Sequence, residues 1–407
     1  MTDEEICLIA PSFMKSSGEF KAEETRNKLK GKVAFNRKKI RKYPFKPFDI
    51  RKAYLAPEIQ PLFSRPSPEL LEHAVIEGNC FFITRDTADK APEGPPFYFS
   101  SLVCDYDCIS GHARHFPMFL TSNVKSKNDK LNGQNSLLSD DPISNLSQST
   151  REYLGRLKIK NPDAEAKAAK LVWMHALAVG YSPAYLAENA DGIRRDWPRI
   201  PLPDSRKALE KSAELGYRIA ALLDTESEVS GVNRGKIESF LRLVGVPSKV
   251  GGGELDPNSD DFAVTAGWGH AGKDGVTMPG KGRIVTRNYD KAELEAIEKS
   301  SESQKISAEL IISLLGETTC DVFLNDKAFW KNIPINVWEY YIGGYQVIKK
   351  WLSYREEALL GRALKTEEAR EVMNMARRLG AIVLLQPALD ENYKNVKEHA
   401  YAWPGSV

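Results

Sequence analysis

The sequence predicts an α+β protein of several domains, with a strand-rich α+β module at the N-terminal end and a mainly helical C-terminal part interrupted by a Gly-rich hairpin section. Three observations predict it. From Phe35 to about Leu120 the apolar residues fall in short runs broken by Pro, Gly and Asp, the pattern of strands and turns. From Ala164 onward they recur three and four apart, the spacing of amphipathic helices. The length of 407 residues exceeds what one ordinary core organises.

Taken in order, Cys80-Phe-Phe-Ile-Thr84, Phe97-Tyr-Phe-Ser-Ser-Leu-Val103 and Phe116-Pro-Met-Phe-Leu120 read as strands, and Pro68–Glu77 as a short helix through Leu70, Leu71, Ala74 and Val75. This α+β module spans 1–125, and the Ser-, Asn- and Lys-rich stretch 126–150 reads as a linker or exposed loop. A helical section, 151–230, holds helices over Ala164–Val179 and Arg206–Leu223. Between them Asp196-Trp-Pro-Arg-Ile-Pro-Leu-Pro203 must be extended, because its three prolines lack donors and bias their predecessors away from the helix. Section 231–300 is dense in glycine, including Gly251-Gly-Gly253, and favours hairpins. Asp290 followed by Glu293 is a capping-box pattern opening a helix at Lys291. In 301–407, Cys320-Asp-Val-Phe-Leu-Asn325 reads as a strand, and Gly344–Arg355 and Thr366–Leu385 as helices, the second with Thr366 as N-cap.

Composition bounds the function. With 42% hydrophobic and 28% charged residues and no run near the roughly 18 to 20 apolar residues of a membrane span, a membrane role is excluded and a cytoplasmic location expected. The five cysteines Cys7, Cys80, Cys104, Cys108 and Cys320 are few and odd in number, which argues for reduced thiols. Net charge is only +2, yet between Lys21 and Lys52 thirteen Lys or Arg face three acids, Glu23, Glu24 and Asp49. Such clustering suits phosphate binding, and a solvated surface is the competing explanation.

Several motifs invite catalytic readings that their surroundings do not support. Gly267-Trp-Gly269-His-Ala-Gly272 fits G-x-G-x-x-G, but no strand-to-helix context follows. Gly275–Gly282 nearly matches a phosphate loop, yet Gly282 stands where a magnesium-binding hydroxyl is needed; Lys273 and Lys281 there are candidate contacts to a phosphate backbone, with a structural hairpin the stronger reading. Gly94-Pro-Pro-Phe97 resembles the Asn/Asp-Pro-Pro-Tyr/Phe loop of amino-group methyltransferases, but glycine has no side chain to hold the amine. Cys104, Cys108, His112 and His115 offer four zinc-type ligands at an unusual spacing, with packing of the cysteines as small hydrophobes the stronger reading. His175, inside an apolar helix, reads as a core residue. No catalytic, cofactor or metal residue is assigned.

The segment Arg41-Lys-Tyr43-Pro-Phe-Lys46-Pro-Phe48-Asp49-Ile-Arg51, followed by Leu62-Phe-Ser-Arg65-Pro66, interleaves cations, aromatics and prolines. Arginine can read guanine edges, lysine neutralises phosphate, and proline keeps the chain extended. The competing reading puts Phe45, Phe48 and Tyr54 in the core and pairs Asp49 with Arg51. Candidate DNA contacts are Arg37, Lys38, Lys39, Arg41, Lys42, Tyr43, Lys46, Arg51 and Arg65, with Lys273 and Lys281.

These two segments and Phe116–Leu120 resemble the target-recognition region of type ISP restriction-modification enzymes and of related DISARM-type adenine-N6 methyltransferases. Asn145-Leu-Ser147, Gly180–Asn189, Trp197–Pro203, Gly267–Gly272, Met278–Gly282, Trp338–Arg355 and Leu385–Tyr393 resemble the C-terminal half of the same family, in order. The resemblance implies sequence-specific binding of double-stranded DNA by a specificity region. S-adenosylmethionine and the methyl-transfer chemistry are then expected in an associated methyltransferase domain or subunit. Two alternatives stay open: a subunit that docks a methylase or helicase through Trp338–Arg355 without touching DNA, and a complete methyltransferase with an unrecognised cofactor site.

Overall fold

Local sequence rules account for most of the elements, and close backbone approaches set how they pack. A computed structural model describes residues 21–56, 68–121, 142–273 and 276–403, with isolated positions before residue 21. Helix α1 (Ala22–Leu29) carries Glu23 and Glu24 in its first turn and Arg26 and Lys28 in its last, charges that complement the helix dipole. A single helical turn, Arg37–Lys39, leads into the hairpin of β1 (Ile40–Lys46) and β2 (Asp49–Tyr54). Phe48 closes that hairpin with φ of 63°, a conformation disfavoured for an aromatic residue. It is held there because its ring is buried against Tyr98, whose hydroxyl accepts the Phe48 N–H at 3.3 Å.

After α2 (Pro68–His73), strands β3 (Phe81–Thr84), β4 (Tyr98–Ser100) and β5 (Arg114–Pro117) form an antiparallel sheet in the order β4-β3-β5. Central β3 is buried on both faces, which explains its unbroken apolar run. The short strands β6 (Phe119–Leu120) and β7 (Ile143–Ser144) pair with each other.

The helical section contains more helix than the spacing predicts: α3 (Gln148–Arg156), α4 (Ala166–Gly180), α5 (Pro183–Arg195) and α6 (Arg206–Leu223). Helix α3 is opened by the Ser147 hydroxyl, which accepts the Thr150 N–H at 3.2 Å, and α5 by Ser182 with proline at its first position. Both begin with cap signals in polar or mixed sequence, where apolar periodicity is weak. Helices α4 and α6 cross so closely that a Cβ on Gly216 would lie 1.8 Å from the Met174 carbonyl oxygen. The extended stretch between α5 and α6 is as expected.

Beyond β8 (Val246–Lys249), the hairpin β9 (Gly269–Ala271) and β10 (Thr277–Pro279) precedes β11 (Ile284–Asn288), α7 (Lys291–Gln304) and α8 (Ala308–Leu315). Strands β12 (Thr318–Phe323) and β13 (Ala328–Pro334) complete an antiparallel sheet in the order β11-β12-β13-β8. The capping box at α7 is present: Asp290 accepts the Glu293 N–H and Glu293 accepts the Asp290 N–H, both at 2.9 Å. After α9 (Ile335–Trp338), the helix expected from Gly344 starts later. A hairpin of β14 (Tyr341–Ile342) and β15 (Tyr345–Gln346) turns on Gly343 and Gly344, both at positive φ, and only then does α10 (Val347–Ser353) begin. A short α11 (Glu357–Leu360) precedes α12 (Thr366–Glu398).

Helix α12 runs 33 residues, through Pro387 rather than stopping before it. An internal proline costs about 3 kcal/mol, and the burial of Leu385, Leu389, Tyr393 and Val396 on either side offsets it. Its cap also differs from expectation: Lys365 occupies the N-cap position, and Glu368 accepts its N–H at 2.8 Å. One contiguous cluster of buried side chains runs from Phe48 to Leu389, so the first hairpin, both larger sheets and α12 share a core. Among the described residues no helix is long and apolar enough to cross a membrane.

Candidate nucleic-acid interface

The first hairpin presents cations on a pinned support. Asn36 caps the Arg37–Lys39 turn by accepting the Lys38 N–H at 3.0 Å, and its own N–H goes to the Tyr54 hydroxyl at 3.2 Å. Phe35 stacks on Tyr54 with ring centroids 5.7 Å apart. Arg37, Lys38, Arg41 and Lys42 are exposed and Lys39 is half-buried. Among the described residues no carboxylate pairs with Arg37, Lys38 or Arg41. The register sets Lys42 directly opposite Lys52, an unfavourable juxtaposition of like charges. Glu226 relieves it by accepting from Lys42 at 2.6 Å, a half-exposed pair worth under about 1 kcal/mol that an arriving phosphate can displace.

Three of the residues expected to face DNA are engaged inside the molecule instead. Lys46 is buried, and its ammonium donates to the Asp107 carbonyl and lies 4.0 Å from Asp105. The pairing is irregular between Pro44 and Lys46, and the end of β1 is tied to the 105–107 loop, where Pro44 also accepts the Asp105 N–H at 2.9 Å. Tyr43 is half-buried and donates its hydroxyl to Asp105 at 3.1 Å. Burial first, then Asp105, pushes that hydroxyl well above its usual pKa. Arg51 donates to Asp49 through Nε and Nη2, the latter at 2.8 Å, and lies over the rings of Phe45 and Tyr354 at 4.0 and 4.6 Å. Asp49 is fully buried and also accepts from Arg355 Nη2 at 2.7 Å. Burial alone raises its pKa, but Arg355 and Arg51 outweigh it and hold the carboxyl below its ordinary value. The competing Asp49–Arg51 pairing is therefore real, with Arg355 as a partner the sequence did not indicate. Phe48 is core as that reading required, whereas Phe45 and Tyr54 are half-buried. Arg65 lies outside the described residues.

Beside the hairpin lies a cleft of about 340 Å³ between β1, β2, the 225–233 turn and α12. Lys42, Arg51 and Lys52 line one side, Asn374 and Arg378 the other, and Glu226 and Glu371 make the lining mixed in sign rather than uniformly basic. Nothing local in sequence marks the contribution of α12.

Lys273 and Lys281 are exposed on and beside the β9–β10 hairpin. The glycines around them serve packing. A Cβ on Gly282 would sit 2.0 Å from the buried Trp268 ring, and one on Gly269 2.0 Å from the Ser353 carbonyl oxygen. Glu356 accepts the N–H groups of Gly267 and Trp268 at 3.0 and 2.7 Å, occupying donors that a nucleotide loop would offer to phosphate. Gly94 packs against the Tyr341 backbone, where a Cβ would lie 2.3 Å from the carbonyl oxygen.

Cys104 and Cys108 are free and buried in the core, while His112 points outward, stacked on Tyr106. Among the described residues no three His, Cys, Asp or Glu side chains are grouped to hold a metal ion. His175 is buried, with Nδ1 2.8 Å from Ser212 Oγ and Nε2 2.8 Å from the Pro201 carbonyl oxygen. In Trp338–Arg355, Trp338, Val347, Ile348, Trp351 and Leu352 are core residues, so that segment has little apolar surface with which to dock a partner. All paired strands among the described residues are antiparallel.

No curated protein matches the chain. Among solved structures it is similar to the one described as a DrdV–DNA complex, with a TM-score of 0.50 and 13% identity, covering 92% of this chain and 29% of that one. It also matches the ATP-dependent Type ISP restriction-modification enzyme LlaBIII bound to DNA, at TM-score 0.48 and 12% identity over 91% of this chain and 19% of that one. A nuclease-deletion mutant of the Type ISP enzyme LlaGI with a DNA substrate mimic matches at TM-score 0.45 and 14% identity, over 90% and 26%. The chain thus spans less than a third of each of these larger proteins. The family described as the Type ISP C-terminal specificity domain matches residues 13–379, from before the basic hairpin to the middle of α12, and the chain belongs to that family.

Proposed function

We propose that this chain is the DNA-reading part of a restriction-modification system. In this reading methyl transfer to adenine N6 is carried out by an S-adenosylmethionine-binding methyltransferase domain or subunit outside these residues. The observation that carries the proposal is the exposed set Arg37, Lys38, Arg41 and Lys42, on a hairpin anchored to the core and on the turn that leads into it. Family membership and the DNA named as the partner in the DrdV structure support it. The set contacts phosphates and fixes register, Lys273 and Lys281 extend those contacts, and base reading falls to residues such as Arg65. Arg51, held by Asp49, acts by positioning the hairpin.

Fluorescence anisotropy with short duplexes over a salt series tests this. Replacing Lys38, Lys39 or Lys42 by Gln is expected to weaken all sequences alike and to lower the salt slope by about one per substituted lysine. Unchanged affinity and slope in every variant would remove the assignment of this hairpin.

A further inference from the structure

Four cations from three stretches of chain, two of them on the first hairpin, converge on two tyrosine rings. The ammonium groups of Lys90, Lys46 and Lys350 lie 4.4, 5.2 and 5.4 Å from the centre of the Tyr345 ring. Lys350 is also 4.6 Å from the Tyr354 ring, and the Arg51 guanidinium lies 4.6 Å from that same ring. Lys90 comes from the loop before β4, Lys46 from β1, Arg51 from β2 and Lys350 from α10. The acids facing them are already engaged or remote. Asp49 binds Arg355 and Arg51, Asp105 accepts from the Tyr43 hydroxyl and the Asp107 N–H and lies 4.0 Å from Lys46, and the Asp107 carboxylate meets His112.

Among the described residues no carboxylate pairs with Lys90 or Lys350. Burial foremost, then Lys46, Lys90 and Arg51, pulls the Lys350 ammonium down to about 8. Aromatic faces offset a cation only in part. An excess of positive charge built from distant parts of the fold and left without a counter-ion is the arrangement that a multiply coordinated oxyanion completes.

We propose that Lys90 and Lys350, gathered with Lys46 around the Tyr345 ring, form a binding site for one phosphate-type oxyanion, occupied in the working assembly by a phosphodiester of the DNA backbone. The oxyanion chemistry stands on this geometry, and its assignment to DNA rests on the function proposed above. The site lies outside the contacts assigned there and adds a second clamp to the duplex on the side of α10.

The test uses the full chain with Lys90→Gln, Lys350→Gln and Lys350→Arg. Lys90 is exposed, so its substitution leaves the fold intact and carries the test even where Lys350→Gln unfolds. In thermal melts at matched ionic strength, inorganic phosphate should raise the wild-type midpoint above that in chloride, with the rise lost in Lys90→Gln and kept in Lys350→Arg. In duplex-binding salt series, Lys90→Gln and Lys350→Gln should each lower the slope of log K against log salt by about one. Wild-type DNA binding that neither substitution alters, without protection by phosphate, overturns the site and leaves the DNA reading standing. Lysine-dependent protection by phosphate in a chain that binds no DNA keeps the oxyanion site, makes a free anion its ligand, and overturns the DNA reading.

Discussion

Replacing Asp49 by alanine should destabilise the protein far more than replacing Arg51, although the two are neighbours on one hairpin. Asp49 is fully buried, and Arg355, its partner at 2.7 Å, has a side chain only 8% exposed. Removing the carboxylate leaves the Arg355 guanidinium buried without a counter-charge, at a cost of about 3–5 kcal/mol. Arg355→Ala should cost about 3 kcal/mol, because Arg51 still neutralises Asp49. Arg51 is 36% exposed, and Asp49 keeps Arg355 without it, so Arg51→Ala should cost about 1 kcal/mol or less. The double variant Asp49→Ala/Arg355→Ala should lie about 2–3 kcal/mol short of the sum of its single changes.

The pH dependence has a definite sign. The folded Asp49 carboxyl titrates below its ordinary value, so its stabilisation is complete above about pH 4 and is lost as pH falls through the folded pKa. The gap between wild type and Asp49→Ala should therefore be constant from neutral pH down to about pH 5 and close in stronger acid. Urea denaturation followed by tryptophan fluorescence measures all of this. Single variants within about 1 kcal/mol of wild type, or strict additivity in the double variant, would refute the reasoning.

Gly282→Ala should cost about 3 kcal/mol or more, since its Cβ would meet the buried Trp268 ring 2.0 Å away at φ of +68°. Gly251→Ala, at φ of +80° but in open space, should cost only about 1 kcal/mol, and equal melting midpoints for the two would contradict this. Arg287→Ala should destabilise by about 3–5 kcal/mol, because Glu293 is 2% exposed and loses two hydrogen bonds of 2.8 Å. Chemical denaturation reads it, and a loss below about 1 kcal/mol counts against the network. His175 is buried, and burial lowers its pKa to about 4, only partly opposed by the Pro201 carbonyl. The unfolded chain takes up that proton near pH 6.5 and the folded chain near 4, so stability should fall by about 3 kcal/mol as pH drops between them. His175→Gln should flatten that slope, and a variant as steep as wild type would show the titration lies elsewhere.

Where a rule acts over three or four residues, the sequence suffices. Asp290 and Glu293 announce their capping box, Arg206–Leu223 is helical to the residue, and the prolines of Trp197–Pro203 enforce extension. The ordered family segments identify the specificity domain without any geometry. Residues drawn together from distant positions escape such reading. Arg355 reaches Asp49 from 306 positions further along the chain, and Lys350 joins Lys46 and Lys90 only around the Tyr345 ring.

The same separation explains why some of the cations are exposed and others engaged within the molecule. Composition marks a basic stretch, yet it does not distinguish exposed Arg41 from buried Lys46, five residues apart on one strand. Charge is a property of the residue and is legible in one dimension. Its availability depends on which carboxylates, carbonyls and rings the tertiary packing brings within a few ångströms, and packing alone decided that.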